Sequence, residues 1–149
     1  MLLNIVNNEE LLTSQIVKGI LLIILASGII YNFYRFLRED TSKKKIINFG
    51  LFVLLTAISV FVFKAYRVEL ALLKRPEYVT GTTIGYCSVF ALGAGIEFEY
   101  YANGQKIRCC NTYHPISKDS IVAIGGKYIV RFSGEFPEDG RMNFKMRTK

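Results

Sequence analysis

The sequence predicts an α+β membrane protein in which two transmembrane helices precede a small antiparallel β sandwich or open barrel of about five strands. Two long apolar runs, 16–37 and 46–63, lie in the first half of the chain. After Pro76 the hydrophobic period changes to two, and an Asn-Gly pair separates two alternating runs. We therefore assign residues 1–75 to an N-terminal tail, a helical hairpin and a juxtamembrane helix, and residues 76–149 to an extramembrane β domain.

The two apolar runs are each long enough to cross a bilayer. A spanning helix needs about 20 predominantly apolar residues, and neither 19–34 nor 46–63 contains a charge. Apolar residues occupy every side of both helices, which is untypical of a helix on the surface of a soluble protein. Two buried core helices are the alternative, but so short a chain has too few other residues to cover them. The basic and apolar segment 64–75 continues the second helix, with Val68, Leu70, Ala71 and Leu72 on the lipid surface, and Pro76 ends it.

The net charge of +7 lies mostly beside these helices. Residues 1–75 hold ten Lys or Arg against five Asp or Glu, whereas residues 76–149 hold nine against seven. This distribution favours membrane orientation over binding to nucleic acid. The acidic tail and the basic turn, which has five Lys or Arg between 35 and 45, place the turn in the cytoplasm. The β domain is then periplasmic at a bacterial inner membrane, although the four basic residues at 64–75 favour the opposite orientation.

The clearest local pattern in the β domain is a hairpin over 96–111. Asn103-Gly104 favours a two-residue type I′ turn, in which both residues need a positive φ. That turn predicts the register of the two strands. Tyr100 faces Ile107 and Phe98 faces Cys109 on one side, while Tyr101 faces Lys106 and Glu99 faces Arg108 on the other.

The remaining strands are predicted from β-branched and aromatic runs. They cover 79–90, 127–132 and a last strand in which Met142, Phe144 and Met146 alternate with polar residues. Residues 91–95 form a small-residue link, Gly125-Gly126 breaks the chain before the fourth strand, and 134–140 is a turn containing Pro137.

Short motifs in this region resemble a family of small bacterial membrane proteins of unknown function. They are a Val79-Thr-Gly strand, an aromatic strand leading into Asn103-Gly104-Gln105, and Gly126-Lys-Tyr-Ile-Val-Arg-Phe-Ser-Gly-Glu-Phe-Pro137. The resemblance covers about 78–142, with Phe132 where Tyr is expected. It implies a bacterial membrane protein with an N-terminal transmembrane hairpin and a compact C-terminal β domain, and it supplies no catalytic residues.

Reactive side chains are few and do not form a recognised catalytic pattern. Cys109, Cys110 and His114 are close in sequence, but adjacent residues of a strand point to opposite faces. We therefore place Cys109 in the core and Cys110 on the surface, and expect no enzyme activity, no metal and no cofactor. Cys87 can bridge either Cys109 or Cys110 if the domain is extracytoplasmic, which leaves one thiol unpaired.

Function is therefore expected to reside in binding. The leading hypothesis is a non-enzymatic bacterial inner-membrane protein whose β domain binds a protein partner, in its sharper form an immunity protein that neutralises a delivered toxin. The alternative is an accessory or structural subunit of a larger membrane complex, packed through its hairpin. The sequence is also compatible with a homo-oligomer. The expected partners are the lipid bilayer and a protein. The candidate contact residues are tyrosines, which interfaces favour, and charged residues of the hairpin: Tyr86, Tyr101, Tyr113, Glu97, Glu99 and Arg108.

Overall fold

The computed structural model describes residues 7–89, 93–113 and 116–148, apart from the side chains of Lys118 and Met146. Two long helices precede five strands and one short 3-10 helix, as the sequence predicts. In chain order the elements are α1 (Asn8–Arg38), α2 (Ser42–Lys74), β1 (Glu77–Val89), β2 (Gly93–Ala102), β3 (Gln105–Asn111), the 3-10 helix Lys118–Ser120, β4 (Ile124–Ser133) and β5 (Phe136–Arg147). The chain divides into two compact units, Thr13–Arg67 and a second that joins the N-terminal residues up to Leu12 to Val68–Lys149.

The unit Thr13–Arg67 is the helical hairpin. Its helices pack through aromatic side chains, with ring centroids 5.4 Å apart for Phe33 and Phe52. Gly28 allows close approach, since a Cβ built there lies 3.1 Å from a methyl group of Leu55. Both α1 and α2 are long and apolar enough to span a membrane, and large apolar side chains are exposed along both. A bilayer would bury these side chains, whereas water would not.

The β domain is one antiparallel sheet, with strand order β3-β2-β1-β4-β5, curled into a half-barrel. Residues on its concave side form a single core, which contains Ile96, Phe98, Tyr100, Ala102, Ile121, Tyr128, Val130, Phe132, Met142 and Phe144. Because strand side chains alternate, the neighbours of these residues in each strand lie on the convex outer face.

The curl brings the two edge strands, β3 and β5, together at the open side of the half-barrel. Side chains of β2 and β3 reach the β5 edge: the Tyr100 hydroxyl of β2 donates to the Pro137 carbonyl, Cys109 Sγ of β3 lies 3.1 Å from the Glu138 carbonyl, and Asn111 Nδ2 of β3 donates to the Met142 carbonyl at 3.1 Å. The contact positions on β3 and β5 ascend together, so these two edges run in parallel. Side chains thus satisfy some of the edge carbonyls that a fully closed barrel would pair through its backbone.

The hairpin of β2 and β3 has the predicted register. Phe98 pairs with Cys109, Glu99 with Arg108, Tyr100 with Ile107 and Tyr101 with Lys106. Its turn residues Asn103 and Gly104 have φ of 52° and 76°, as a type I′ turn requires. This prediction is confirmed.

Two predicted breaks are instead parts of strands. β4 begins at Ile124 and continues through Gly125-Gly126, and β5 begins at Phe136 and contains Pro137. Gly126 is required by close packing, because a Cβ there would lie 2.6 Å from the Val122 carbonyl oxygen. Pro137 is tolerated because β5 is a sheet edge, where a missing N–H removes no ladder bond. The turn between β4 and β5 is confined to Gly134 and Glu135.

The first residues of α1 and the last turns of α2 belong to the β-domain unit. Leu11, Val68 and Leu72 are buried together, with Leu73 and Phe136 against them. The prediction that Val68, Ala71 and Leu72 lie on the lipid surface is therefore wrong, because protein atoms cover all three.

Two arginines hold these helix ends on the outer face of β4 and β5. Arg131 and Arg141 are a cross-strand pair, and both are buried. Arg131 donates to the Leu72 carbonyl at 2.6 Å and to Asn8 Oδ1 at 2.7 Å. A cation there satisfies a free carbonyl at the C-terminus of α2 and interacts favourably with the negative end of the helix dipole. Arg141 forms an ion pair with Glu69 at 3.2 Å.

Candidate partner-binding face

The outer face of β2 and β3 is not covered by the helix ends. We call it the β2–β3 face and define it by Glu97, Glu99, Tyr101, Lys106 and Arg108. All five alternate with residues of the core or of the inner side, so strand geometry directs them outward. Four of the predicted contact residues therefore lie on one surface.

Charges on the β2–β3 face compensate one another. Lys106 Nζ lies 2.8 Å from Glu99 Oε2, and Arg108 is directly opposite Glu99 in the ladder. Glu97 is opposite Cys110. The face therefore has mixed charge without a dominant sign, and Tyr101 is its exposed aromatic residue, with 63% of its surface accessible.

Tyr86 lies on the other side of the sheet from Tyr101. It pairs with Ile96, which is fully buried, whereas Gly85 pairs with Glu97. The register shift between Thr83 and Gly85 is a bulge, and the extra residue changes which side chains face outward. Tyr86 is still 67% exposed, but it does not share a surface with the β2–β3 face.

Tyr113 follows the end of β3 and is half-buried. Its carbonyl accepts a hydrogen bond from Asn111 Nδ2 at 3.0 Å. The backbone of Tyr113 thus helps to hold the end of β3, and neither its position nor its burial brings it to the β2–β3 face.

Cys87 is joined to Cys110 by a disulfide, with their Cα atoms 6.0 Å apart. The bond crosslinks β1 and β3 past the small residues 93–95 of β2. A Cβ at Gly95 would lie 2.5 Å from the Asn111 carbonyl oxygen, so a glycine is needed where the strands crowd together. Of the two pairings that the sequence leaves open, the structure has the one with Cys110.

Cys109 is the free cysteine and packs against the core, while Cys110 lies on the opposite face, as predicted. Burial is the main reason that the pKa of the Cys109 thiol is raised above its usual value. Burial and the neighbouring Cys109 raise the pKa of Tyr100 as well. Both groups therefore stay neutral near neutral pH, and a raised pKa is the opposite of what an activated thiolate needs.

Metal-ligating side chains do not cluster in the part of the chain that the structure describes: no group of three or more His, Cys, Asp or Glu converges there. His114 lies outside the described residues. The expectation of no metal and no catalytic thiol therefore stays a prediction.

Sequence reasoning missed two features of the outer face of the sheet. Tyr78 on β1 is exposed and its ring lies 6.0 Å from the Arg131 guanidinium carbon. Its position before Val79, whose side chain packs against the core, was the available signal. The buried ion pair was also missed, although a single carboxylate, Glu69, in the apolar stretch 68–73 could have indicated a buried partner.

Comparison with known proteins finds no matching family model, no similar curated protein and no similar solved structure.

Proposed function

We propose that this chain is a non-enzymatic bacterial inner-membrane protein whose β domain binds a protein partner through the β2–β3 face. The observation that carries the proposal is the contrast between the two halves of one outer face. On β4 and β5 the helix ends cover the part of this face around Arg131 and Arg141, whereas the half on β1 to β3 is open and exposes Tyr78 and Tyr101. Tyrosine is enriched at protein interfaces because it adds large contact area and a hydrogen-bonding tip.

The charges of the β2–β3 face support a protein partner in particular. Glu99 is already paired with Lys106, so the face has no unbalanced field of the kind that binds nucleic acid. A partner would gain most from contact with the tyrosine rings and least from the exposed ion pair. We therefore expect Tyr101→Ala to weaken binding at least about tenfold and Arg108→Ala to change mainly the association rate.

The disulfide supports a periplasmic β domain. Disulfides persist in oxidising compartments and are rare in the cytosol. This agrees with the basic turn between the two helices lying inside. An exported toxin would be accessible to a domain on that side, and an immunity protein is accordingly the sharper form of the proposal.

An accessory subunit of a membrane complex is the second candidate. Cβ atoms built on Gly19 of α1 and Gly50 of α2 meet nothing within 4 Å. Small residues open on a helix surface permit close packing of a further helix in lipid. In this version the hairpin is the binding element, and the neighbouring helix comes from another subunit or a second copy.

Site-specific photocrosslinking in the native membrane tests both candidates. A photoreactive residue replaces Tyr101 or Gly50 in the full-length protein, and Ile124, an exposed β-domain residue outside the β2–β3 face, is the matched control. A secreted toxin crosslinked from position 101 but not 124 supports immunity, and a membrane subunit or a second copy crosslinked from position 50 supports the accessory role. Equal products from 101 and 124, with none specific to 50, would refute both.

A further inference from the structure

The turn between the two helices of the hairpin is strongly basic. We call it the basic turn and define it as residues 35–45, where five Lys or Arg and two Asp or Glu give a net charge of +3. Only residues 39–41 separate the end of α1 from the start of α2, so the cations of both helix ends lie in one small region. The whole basic turn belongs to the unit Thr13–Arg67.

The cations of the basic turn directly adjoin the apolar segments of both helices. No charge occurs in 19–34 of α1 or in 46–63 of α2, and the residues that border these segments in the turn are Arg35 and Lys45. When both helices span a bilayer, residues that border the apolar segments lie at the level of the lipid headgroups. The headgroup phosphates are therefore the anions nearest to this surface.

The carboxylates of the basic turn compensate only part of its charge. The Glu39 carboxylate contacts one cation from each helix, Arg35 at 3.2 Å and Lys44 at 4.0 Å. The other three cations of the turn have no carboxylate oxygen within 4.0 Å of their nitrogens among residues 7–89, 93–113 and 116–148. Their charge is therefore available to an anion outside the protein.

Aromatic rings position two of these three cations. The Arg38 guanidinium carbon lies 5.0 Å from the centroid of the Tyr34 ring, and Lys45 Nζ lies 5.4 Å from the centroid of the Phe36 ring. Both distances are within the range of a cation–π contact. A ring covers one side of a cation, whereas Arg has five N–H donors and Lys has three. Donors on the remaining sides can therefore reach phosphate oxygens, with one such cation on each helix.

The first turn of α2 is unfavourable without an anion beside it. It contains the three lysines 43–45 and no acidic residue. The N-terminus of a helix carries a partial positive charge, so cations are disfavoured there, and the neighbouring lysines repel one another. A layer of anionic headgroups beside the turn would offset both effects.

We propose that the basic turn binds the headgroups of anionic phospholipids in preference to those of zwitterionic phospholipids. Both headgroups contain a phosphate, but the ammonium group of a zwitterionic lipid cancels its net charge. Clusters of roughly four to eight Lys or Arg beside a transmembrane helix are typical of binding to anionic lipids. Such binding requires the hairpin to span a bilayer, and it does not depend on what the β2–β3 face binds.

Single tryptophans can report the lipid at each end of the hairpin, because the unchanged chain has no Trp. The turn reporter is Tyr31→Trp, about one helical turn before Arg35, and the distal reporter is Phe63→Trp, at the other end of the apolar segment of α2. Tyr31 and Phe63 are 62% and 54% exposed, so both positions are accessible to lipid.

The full-length reporters are placed in vesicles of phosphatidylcholine with increasing fractions of phosphatidylglycerol, and only one of the two lipids is brominated in each series. Bromine quenches tryptophan fluorescence on contact. The two quenching curves therefore give the binding constant of the anionic lipid relative to the zwitterionic lipid at that reporter.

We expect the turn reporter to show a preference of about fivefold for phosphatidylglycerol, the effect of one cation near an anionic surface. Arg38→Gln/Lys45→Gln should remove most of this preference and leave the distal reporter unchanged. Lys64→Gln/Arg67→Gln is the matched control, because it also removes one Lys and one Arg but at the other end of the hairpin. It should leave the preference at the turn reporter unchanged.

The outcomes separate the lipid preference from the membrane location. A preference at the turn reporter that only Arg38→Gln/Lys45→Gln removes supports the proposal. Equal quenching by both lipids at the turn reporter, or an equal loss of preference with Lys64→Gln/Arg67→Gln, would overturn it while leaving the hairpin in the bilayer. Quenching of neither reporter by either lipid would refute the membrane location and, with it, this proposal.

Discussion

Removal of the buried carboxylate of Glu69 should strongly destabilise the β-domain unit. The side chains of Glu69 and Arg141 are 0% and 3% exposed, and their charged atoms are 3.2 Å apart. Glu69→Leu leaves the Arg141 guanidinium buried without this partner, which costs about 3–5 kcal/mol in comparable pairs. Burial lowers the pKa of Arg141. The carboxylates of Glu69 and Asp139 raise that pKa again, whereas the nearby Arg131 lowers it further. Because Asp139 still compensates part of the Arg141 charge, we expect the free energy of unfolding to fall by about 3 kcal/mol, the lower end of that range.

The pair of Glu99 and Lys106 is the matched control. Its charged atoms are closer, at 2.8 Å, but its side chains are 21% and 50% exposed. Water screens such a pair, so Glu99→Leu should cost less than about 1 kcal/mol. Burial, rather than distance, should decide which ion pair matters.

The double variant Glu69→Leu/Arg141→Leu distinguishes the loss of the ion pair from the cost of leaving one buried charge without its partner. Replacing both members of a buried pair by apolar residues is often neutral, so the double variant should be more stable than Glu69→Leu alone. Urea unfolding in detergent, followed by tyrosine fluorescence because the chain has no Trp, gives the free energies. Urea is chosen because guanidinium salts would screen the charges. A loss with Glu69→Leu no larger than with Glu99→Leu would refute the argument that this pair is a desolvated one.

Three further predictions concern the β domain. Cys87→Ala/Cys110→Ala should lower the free energy of unfolding by about 3 kcal/mol, because the disulfide closes a loop spanning a sequence separation of 23. Urea unfolding of the variant, and of the unchanged protein with and without reductant, measures this loss. Equal stability of the oxidised protein and the variant would contradict the prediction. Because the pKa of the Cys109 thiol is raised in the folded protein, its contribution to stability is complete below the ordinary value of 9.0 and is lost as the pH rises above that value. The free energy of unfolding, measured on both sides of that pH, should therefore fall less steeply with pH in Cys109→Ala than in the unchanged protein. An identical slope would exclude a raised pKa for Cys109. Gly104→Ala should cost about 1 kcal/mol because φ is 76° there, measured by thermal unfolding, whereas Gly104→Asn should cost less because Asn tolerates that conformation.

Features encoded locally could be predicted from the sequence. The hairpin register depends on Asn103-Gly104 and on the alternation beside it, so short-range chemistry was sufficient. The two helices were predicted because a long uncharged apolar run has few other stable environments. The opposite faces of Cys109 and Cys110 follow from strand geometry alone.

Features that depend on distant contacts could not be predicted in this way. Gly125-Gly126 and Pro137 are strong turn signals, but β4 pairs with β1 on both sides of the glycines, with a register shift opposite them, and Pro137 lies on an edge strand. The bulge between Thr83 and Gly85 puts Tyr86 on the face of Ile96. Gly85 indicates a bulge or bend in this strand, but the side chains that the shift turns outward depend on the pairing with β2. The predicted contact residues therefore divide between two faces.

The arginines of β4 illustrate the same limit and explain how the outer face is used. Alternation places Arg131 on the polar side of its strand, where a solvated side chain is expected, but Leu72 and Asn8, both distant in sequence, cover it. Its charge is satisfied by the ends of the helices, whereas Glu99 and Lys106 satisfy each other across two adjacent strands. The β4–β5 half therefore requires a cover and has one within the chain. The β2–β3 half requires none for its charges, so what a partner can add there is burial of the exposed tyrosine rings.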